Sequence, residues 1–189
     1  MRKIISFMHV SLDGFVAGPN GEMDWIKIDE DIFDFASEAA GSSDLALYGR
    51  TTYQMMDAYW PTAADQPKAT KHAKEHSAWY NKVDKIVLSK SLAGQQIPKV
   101  TIIDKDLRPQ VTRFKEMQGG DILIFGSPRA VHALMKEDLV DVIWLFVNPV
   151  LLGSGIPMFM HNDSRKKLTL LADTRFPSGV MSLKYEIVH

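Results

Sequence analysis

The sequence predicts an α/β fold built on a mixed, mostly parallel sheet. Strand-like and helix-like segments alternate along most of the chain, and helices between consecutive strands are typical of parallel sheets covered on both faces. Two final segments, 167–175 and 180–188, alternate around Pro177-Ser178-Gly179, which predicts an antiparallel hairpin. No linker or internal repeat divides the 189 residues, so we expect one domain over residues 1–189.

The spacing of apolar residues places the other elements along the chain. A buried strand is expected first, followed by a turn-rich stretch and then by strands and helices in alternation. Residues 61–67, bounded by two prolines, are expected to form a loop. We expect strands at 2–10, 44–48, 85–88, 99–103, 121–125 and 140–147, and helices at 29–40, 50–59, 69–82, 107–117 and 128–135.

The composition excludes several classes of function. Hydrophobic residues make up 46% of the chain and charged residues 24%, as in a packed globular protein. The net charge of -1 and the scattered Lys and Arg residues do not fit a nucleic-acid-binding protein. No apolar run approaches the roughly 20 residues of a membrane span. The absence of Cys removes disulfides and thiolate metal sites, and it favours a cytoplasmic protein.

A metal site is not expected. His72 and His76 lie four residues apart on a predicted helix, a spacing that could bind a metal ion. However, Lys71, Lys74 and Glu75 surround them, and no third ligand is evident in the sequence. A solvated helix face therefore explains this pair better.

Two glycine turns, each between a predicted strand and a predicted helix, are candidate phosphate sites. The first is Tyr48-Gly49-Arg50-Thr51-Thr52 and the second is Phe125-Gly126-Ser127-Pro128-Arg129-Ala130. Gly allows a ligand to approach the backbone, a helix N-terminus offers free N–H groups, and Arg suits phosphate oxygens. Taken alone, the first turn is equally compatible with an ordinary turn whose Arg is solvated. Two such turns in one chain favour a dinucleotide cleft.

These and three further motifs resemble the dihydrofolate-reductase-like superfamily, in particular its riboflavin-biosynthesis reductase branch (the RibD C-terminal domain type). The resemblance covers nearly the whole chain, with the motifs in the same order. The motifs are Ser11-Leu12-Asp13-Gly14-Phe15-Val16-Ala17, Leu47 to Tyr53, Lys85 to Lys90, Asp121 to Ser127, and Leu139-Val140-Asp141 with Pro149 to Gly155.

The resemblance implies a three-layer α/β/α sandwich, a C-terminal antiparallel hairpin, and NADPH bound across the strand ends. It implies an NADPH-dependent oxidoreductase and a homodimer, formed through the late strands or through residues 149–159. The implied small-molecule substrate is a phosphorylated aminopyrimidine sugar, as in 5-amino-6-(5-phosphoribosylamino)uracil reductase. The implied cofactor residues are Gly49, Arg50, Thr51 and Thr52 at the pyrophosphate, Ser89 and Lys90 near the 2′-phosphate, Gly126, Ser127, Pro128, Arg129 and Ala130 at the second turn, and Ala17 near the nicotinamide.

Three acids are our candidates for substrate contact or proton management. Glu30 falls nearest the acid that follows a Trp in folate reductases, and Asp31 is next to it. Asp13 lies in a glycine turn at the end of a strand, where an Asx turn is an equal alternative.

Two departures from the family pattern bear on function. Family members usually carry Gly-Gly where this chain has Gly126-Ser127. Val83 stands where folate reductases hold the glutamate tail with an Arg, which argues against folate. Two alternatives stay open: dihydrofolate reductase proper, and a non-catalytic NADPH-binding module.

Overall fold

The computed structural model describes residues 1–41, 43–159 and 165–189. Its strands are β1 (Ile4–Ser11), β2 (Phe15–Ala17), β3 (Leu45–Gly49), β4 (Asp84–Leu88), β5 (Val100–Ile103), β6 (Ile122–Phe125), β7 (Val142–Asn148), β8 (Ile156–Pro157), β9 (Lys167–Arg175) and β10 (Met181–Val188). Its helices are α1 (Glu30–Ala40), α2 (Arg50–Tyr59), α3 (Lys71–Lys82), α4 (Leu107–Glu116) and α5 (Pro128–Lys136), with a 3₁₀ helix at Trp60–Asp65.

Eight strands form one mixed sheet in the order β5-β4-β3-β6-β1-β7-β10-β9. The first six in this order are parallel, whereas β10 runs antiparallel to both β7 and β9. In the central strand, Phe7 pairs with Phe125 on one side and with Trp144 on the other. The predicted mixed, mostly parallel sheet with a C-terminal antiparallel hairpin is confirmed.

Alternate residues of the central strands pack against helices on opposite faces of the sheet. On one face, Met8 and its neighbours form a core with Val111 of α4 and Leu134 of α5. On the other face, Trp144 and its neighbours form a core with Ile32 of α1 and Tyr80 of α3. The sheet is therefore covered on both sides, which is the predicted three-layer arrangement.

A partly buried ion pair ties the amino end of β1 to the rest of the sheet. Lys115 Nζ lies 2.8 and 2.7 Å from the two carboxylate oxygens of Asp141, and Asp141 also accepts the N–H of Ile4 at 2.7 Å. Charged side chains thus occupy the amino end of the parallel strands. The turns that lead from strands into helices lie at the opposite, carboxyl end.

The structure differs from the sequence-based expectation in two short segments. The loop predicted at 61–67 was wrong for its first part, because Trp60–Asp65 is a 3₁₀ helix with Pro61 in its first turn. A proline there loses no hydrogen bond, since the first N–H groups of a helix have no partner within it. The small antiparallel pair of β2 and β8 was not predicted, because three and two residues are too short to show a period.

Across the three described ranges, no helix has the length and apolar character needed to cross a membrane.

Candidate active site

The two predicted glycine turns lie in contact at the carboxyl ends of β3 and β6. The N–H of Gly49 donates to Ser127 Oγ at 3.0 Å. A Cβ on Gly49 would lie 3.6 Å from Ala130 Cβ, and a Cβ on Gly126 would lie 3.5 Å from Thr52 Cγ2. The structure therefore brings the first turn of α2 and the first turn of α5 together at one edge of the sheet.

The second turn has an unusual backbone. Gly126 and Ser127 both have φ near +57°, in the left-handed region, and the peptide between them is trans. Left-handed geometry is costly for a residue with a side chain. Ser127 stays there with its hydroxyl between the Gly49 N–H and the carbonyl oxygen of Phe125, to which it donates at 3.3 Å. The departure from Gly-Gly thus supplies a side-chain link between the two turns.

The first turns of α2 and α5 are not capped by a side chain, and the N–H groups of residues 50–52 have no partner within α2. Helix α1 is capped by the side chain of Asp29, and α3 by that of Thr70. At α2 the cap residue is Gly49, which has no side chain, and at α5 the cap residue Ser127 makes no side-chain capping bond. Free N–H groups and the positive end of the helix dipole together favour a bound anion.

The turn Ser89-Lys90-Ser91, which follows β4, also reaches this edge. Arg50 donates to Ser91 Oγ at 2.8 Å, and Ser91 Oγ lies 3.2 Å from Ser89 Oγ. Ser89 also accepts the N–H of Leu92, while Lys90 is exposed. The remaining cofactor candidates lie on the same two first turns: Thr51 and Arg129 are exposed, and Pro128 is the first residue of α5.

Ala17 packs against the segment that follows β7. It is buried, and it pairs with Ile156 in the small β2–β8 sheet. Gly155 passes so close that a Cβ there would lie 2.2 Å from the carbonyl oxygen of Ala17. This contact fixes the loop at residues 153–155 against the segment that the resemblance assigns to the nicotinamide.

A cavity of about 650 Å³ opens between α1 and α3, next to the second turn. Phe125, the last residue of β6, lines it and directly precedes Gly126. The volume is in the usual range for small-molecule sites. The cavity is lined by Phe7, His9, Ile32, Phe33, Asp34, Ala36, Ser37, Glu38, Gly41, Met56, Trp60, Lys71, His72, Glu75, His76, Trp79 and Phe125.

Three histidines face this cavity, which corrects the expected solvated face for His72 and His76. His72 stacks on Phe33 with ring centroids 3.4 Å apart, and His76 lies 4.1 Å from the ring of Trp60. Burial lowers the pKa of His76, and also that of His9 on β1, to about 4, so both rings are uncharged at neutral pH. No cluster of three or more metal-ligating side chains occurs within the part of the chain that the structure describes.

The three candidate acids lie outside the cavity wall. Asp13 accepts a hydrogen bond from Ser11 Oγ at 2.6 Å and from the N–H of Gly153 at 2.8 Å. These bonds lower the pKa of its carboxyl, with the Ser11 hydroxyl as the largest cause. Glu30 and Asp31 are exposed in the first turn of α1. Their roles in catalysis stay predictions.

The profile of the RibD C-terminal domain family matches residues 2–182. The chain belongs to the RibD C-terminal domain family. It is 31% identical over 192 residues to YyaP of Bacillus subtilis, an uncharacterized protein, with 97% of this chain and 94% of YyaP covered. The predicted family is therefore confirmed.

Solved structures confirm the dihydrofolate-reductase-like fold of this RibD C-terminal domain. The diaminohydroxyphosphoribosylaminopyrimidine deaminase/5-amino-6-(5-phosphoribosylamino)uracil reductase of Thermotoga maritima aligns with a TM-score of 0.68 at 14% identity, over 99% of this chain and 57% of that one. Dihydrofolate reductase of Enterococcus faecalis, complexed with NADP(H) and RAB-propyl, aligns with a TM-score of 0.63 at 15% identity, over 99% and 97%.

Sequence reasoning missed most of the cavity wall of this RibD C-terminal domain. Trp60 and Trp79 pack against the core and also line the cavity, and the sequence alone placed neither of them in a site. Asp34 and Glu38 line it too, on the same helix as the predicted Glu30. The one sequence feature that could have indicated this wall is the four-residue spacing of His72 and His76, which places both on one face of α3.

Proposed function

We propose that this RibD C-terminal domain is an NADPH-dependent reductase that transfers hydride to a small heterocyclic or sugar substrate. The observation that carries the proposal is the meeting of the turns at Gly49, Ser91 and Ser127 beside a cavity large enough for a ring. A dinucleotide needs a phosphate cradle, and hydride transfer needs a neighbouring space for the acceptor.

The chain's residues fit a dinucleotide phosphate group. The uncapped N-termini of α2 and α5 would bind the pyrophosphate through Gly49–Thr52 and Gly126–Ala130. Ser89 and Lys90 would bind the 2′-phosphate that distinguishes NADPH from NADH. The presence of NADP(H) in the Enterococcus dihydrofolate reductase supports this assignment.

When bound, NADPH supplies the hydride, and the chain supplies position and shielding. A hydride added to a substrate carbon requires a proton at the adjacent heteroatom. Asp13, Glu30 and Asp31 stay our candidates for managing that proton. Ala17 and the loop up to Asp24 would cover the nicotinamide and exclude water from it.

A binding experiment tests the cofactor. NADPH should quench the fluorescence of Trp60 and Trp79 in a saturable titration, with NADH binding more weakly. Arg50→Ala should weaken NADPH binding by about 10- to 100-fold, as expected for one charge-assisted phosphate contact. Arg108→Ala serves as the matched control, because Arg108 is on α4 and pairs with Glu137. A wild-type protein that binds no NADPH at millimolar concentration would refute the proposal.

A turnover experiment separates the candidate reactions. Oxidation of NADPH should be followed with 5-amino-6-(5-phosphoribosylamino)uracil, the substrate named for the Thermotoga relative, and with dihydrofolate. We expect no turnover of dihydrofolate, because Val83 is a buried apolar residue where a carboxylate clamp would be needed. NADPH binding without turnover of any candidate substrate would support the non-catalytic module instead.

We also propose a homodimer and a cytoplasmic location. Edge strand β9 leaves Leu168, Leu170 and Leu171 exposed by 44, 50 and 47%, and an exposed apolar edge is usually covered in a native protein. Light scattering after size exclusion should give twice the chain mass, and Leu170→Lys should give monomer. A wild-type monomer would contradict the dimer.

The cysteine-free composition fits a reducing compartment such as the cytoplasm, and cell fractionation can test this location.

A further inference from the structure

The charges at the cavity mouth are unfavourable for an anionic guest. Three carboxylates line it, from Asp34 and Glu38 on α1 and from Glu75 on α3. Among the described lining residues the one permanently charged cation is Lys71, and its Nζ lies 3.0 Å from Asp34 Oδ1. Lys71 is therefore already paired, and two carboxylates at the mouth are left to repel a phosphate or carboxylate group.

The interior of the cavity is aromatic. Trp79 and Phe125 lie with ring centroids 5.2 Å apart, and His76 lies 4.1 Å from Trp60 and 5.7 Å from Phe125. These rings pack on one another to form the wall, and the sides that line the cavity favour a planar guest that stacks or packs edge to face on them. The volume of about 650 Å³ equals that of roughly 20 liquid waters, so a fused two-ring compound fits inside.

Three histidine ring nitrogens of the cavity wall have no hydrogen-bond partner among the described residues. His9 Nδ1, His72 Nδ1 and His76 Nε2 are buried, and each lacks a hydrogen-bond partner. A buried polar atom without a partner is costly, so a guest that hydrogen-bonds to it gains that energy. At neutral pH the rings of His9 and His76 carry no charge, so they match a neutral donor or acceptor and do not compensate an anion.

From these three observations we propose that the cavity binds an uncharged, planar heteroaromatic ring that carries neither phosphate nor carboxylate. The ring lies against Trp79 and Phe125, and its heteroatoms hydrogen-bond to His9 and His76. The inference deepens the proposed function, on which it rests for the identity of the cavity as the substrate site. It separates this chain from reductases of phosphorylated sugar substrates.

A pair of probes of the same shape tests the charge preference. Quinoxaline is planar and uncharged at neutral pH, and quinoxaline-2-carboxylate adds one negative charge. Both are titrated into the full chain by calorimetry, with and without saturating NADPH. We expect quinoxaline to bind at least tenfold more tightly than the carboxylate in both conditions.

Variants assign the preference to the cavity. Glu75→Gln should strengthen binding of the carboxylate about threefold and leave quinoxaline unchanged. Glu116→Gln is the matched control, because Glu116 is exposed on α4, which packs on the opposite face of the sheet. His76→Phe should weaken quinoxaline binding about fivefold, since the ring stays and the hydrogen bond goes.

The outcomes distinguish the proposed cavity preference from the proposed reductase function. Equal affinities, a preference for the carboxylate, or no binding of either probe would overturn the inference about the cavity. A response to Glu116→Gln as large as that to Glu75→Gln would also overturn it. A chain that prefers quinoxaline but binds no NADPH would refute the proposed reductase and leave the cavity preference standing.

Discussion

Replacing His76 by Phe removes a titratable group from the cavity and keeps a flat ring beside Trp60 and Phe125. In the native chain, burial lowers the pKa of His76 from 6.5 to about 4, with a smaller contribution from His72. The shift of about 2.5 units corresponds to about 3 kcal/mol, at about 1.36 kcal/mol per unit. This is the free energy by which protonation of His76 favours the unfolded chain.

The direction of the pH dependence follows from the lowered pKa. Below pH 6.5 the unfolded chain binds a proton at His76, whereas the folded chain does so near pH 4. The free energy of unfolding therefore falls as the pH decreases from 6.5 to 4 and is fully retained above 6.5. His76→Phe should lack this loss, so its stability relative to wild type should rise by about 3 kcal/mol across the same window.

Urea unfolding monitored by circular dichroism at several pH values between 7.5 and 4 measures the effect. Other groups, including His9, titrate in both proteins and cancel in the difference between variant and wild type. Trp79→Phe is the control: it changes the same cavity and loses the bond from Trp79 Nε1 to the carbonyl oxygen of Ser43, but it removes no titratable group. A difference for His76→Phe that stays constant from pH 7 to pH 4 would refute the reasoning.

Two further predictions concern the loop after β7. Gly155→Ala should lower the free energy of unfolding by at least about 2 kcal/mol, because the added Cβ would lie 2.2 Å from the Ala17 carbonyl oxygen. Gly153→Ala should cost only about 1 kcal/mol in urea unfolding, since φ there is +72° but an added Cβ would meet no atom within 4 Å. A larger loss for Gly153→Ala than for Gly155→Ala would contradict the close contact between Gly155 and Ala17. Asp13→Ala should speed amide hydrogen exchange at Leu152 and Gly153, whose N–H groups donate to its carboxylate, and unchanged exchange would exclude an anchoring role.

The cofactor half of the site could be predicted because its signals are local. A glycine turn between a strand and a helix is readable from neighbouring residues, as at Gly49 and Gly126, and parallel strands bring their carboxyl ends to one edge. The bond between Gly49 and Ser127 follows from that topology. The sequence shows Ser127 where the family usually has Gly. It does not show that the Ser127 hydroxyl accepts a hydrogen bond from Gly49, which lies 78 residues earlier in the chain.

The substrate half could not be predicted, because it depends on how α1 and α3 pack. Lys71 and Glu75 give α3 a polar sequence around His72, yet that side of the helix faces Phe33 of α1. Glu30 and Asp34 are four residues apart and share one face of α1. Asp34 lines the cavity, whereas Glu30, one turn earlier, does not. Such contacts depend on tertiary packing, which no short window of sequence contains.

The central position of β1 has a consequence for how the chain is made. This strand is synthesised well before its two neighbours in the sheet, β6 and β7, which begin at residues 122 and 142. At roughly 5–20 residues per second, an apolar segment that contains Ile4, Ile5 and Phe7 waits about 6–20 s for its first partner strand. The centre of the sheet therefore cannot form until β6 has been synthesised, although β3, β4 and β5 can pair with one another earlier.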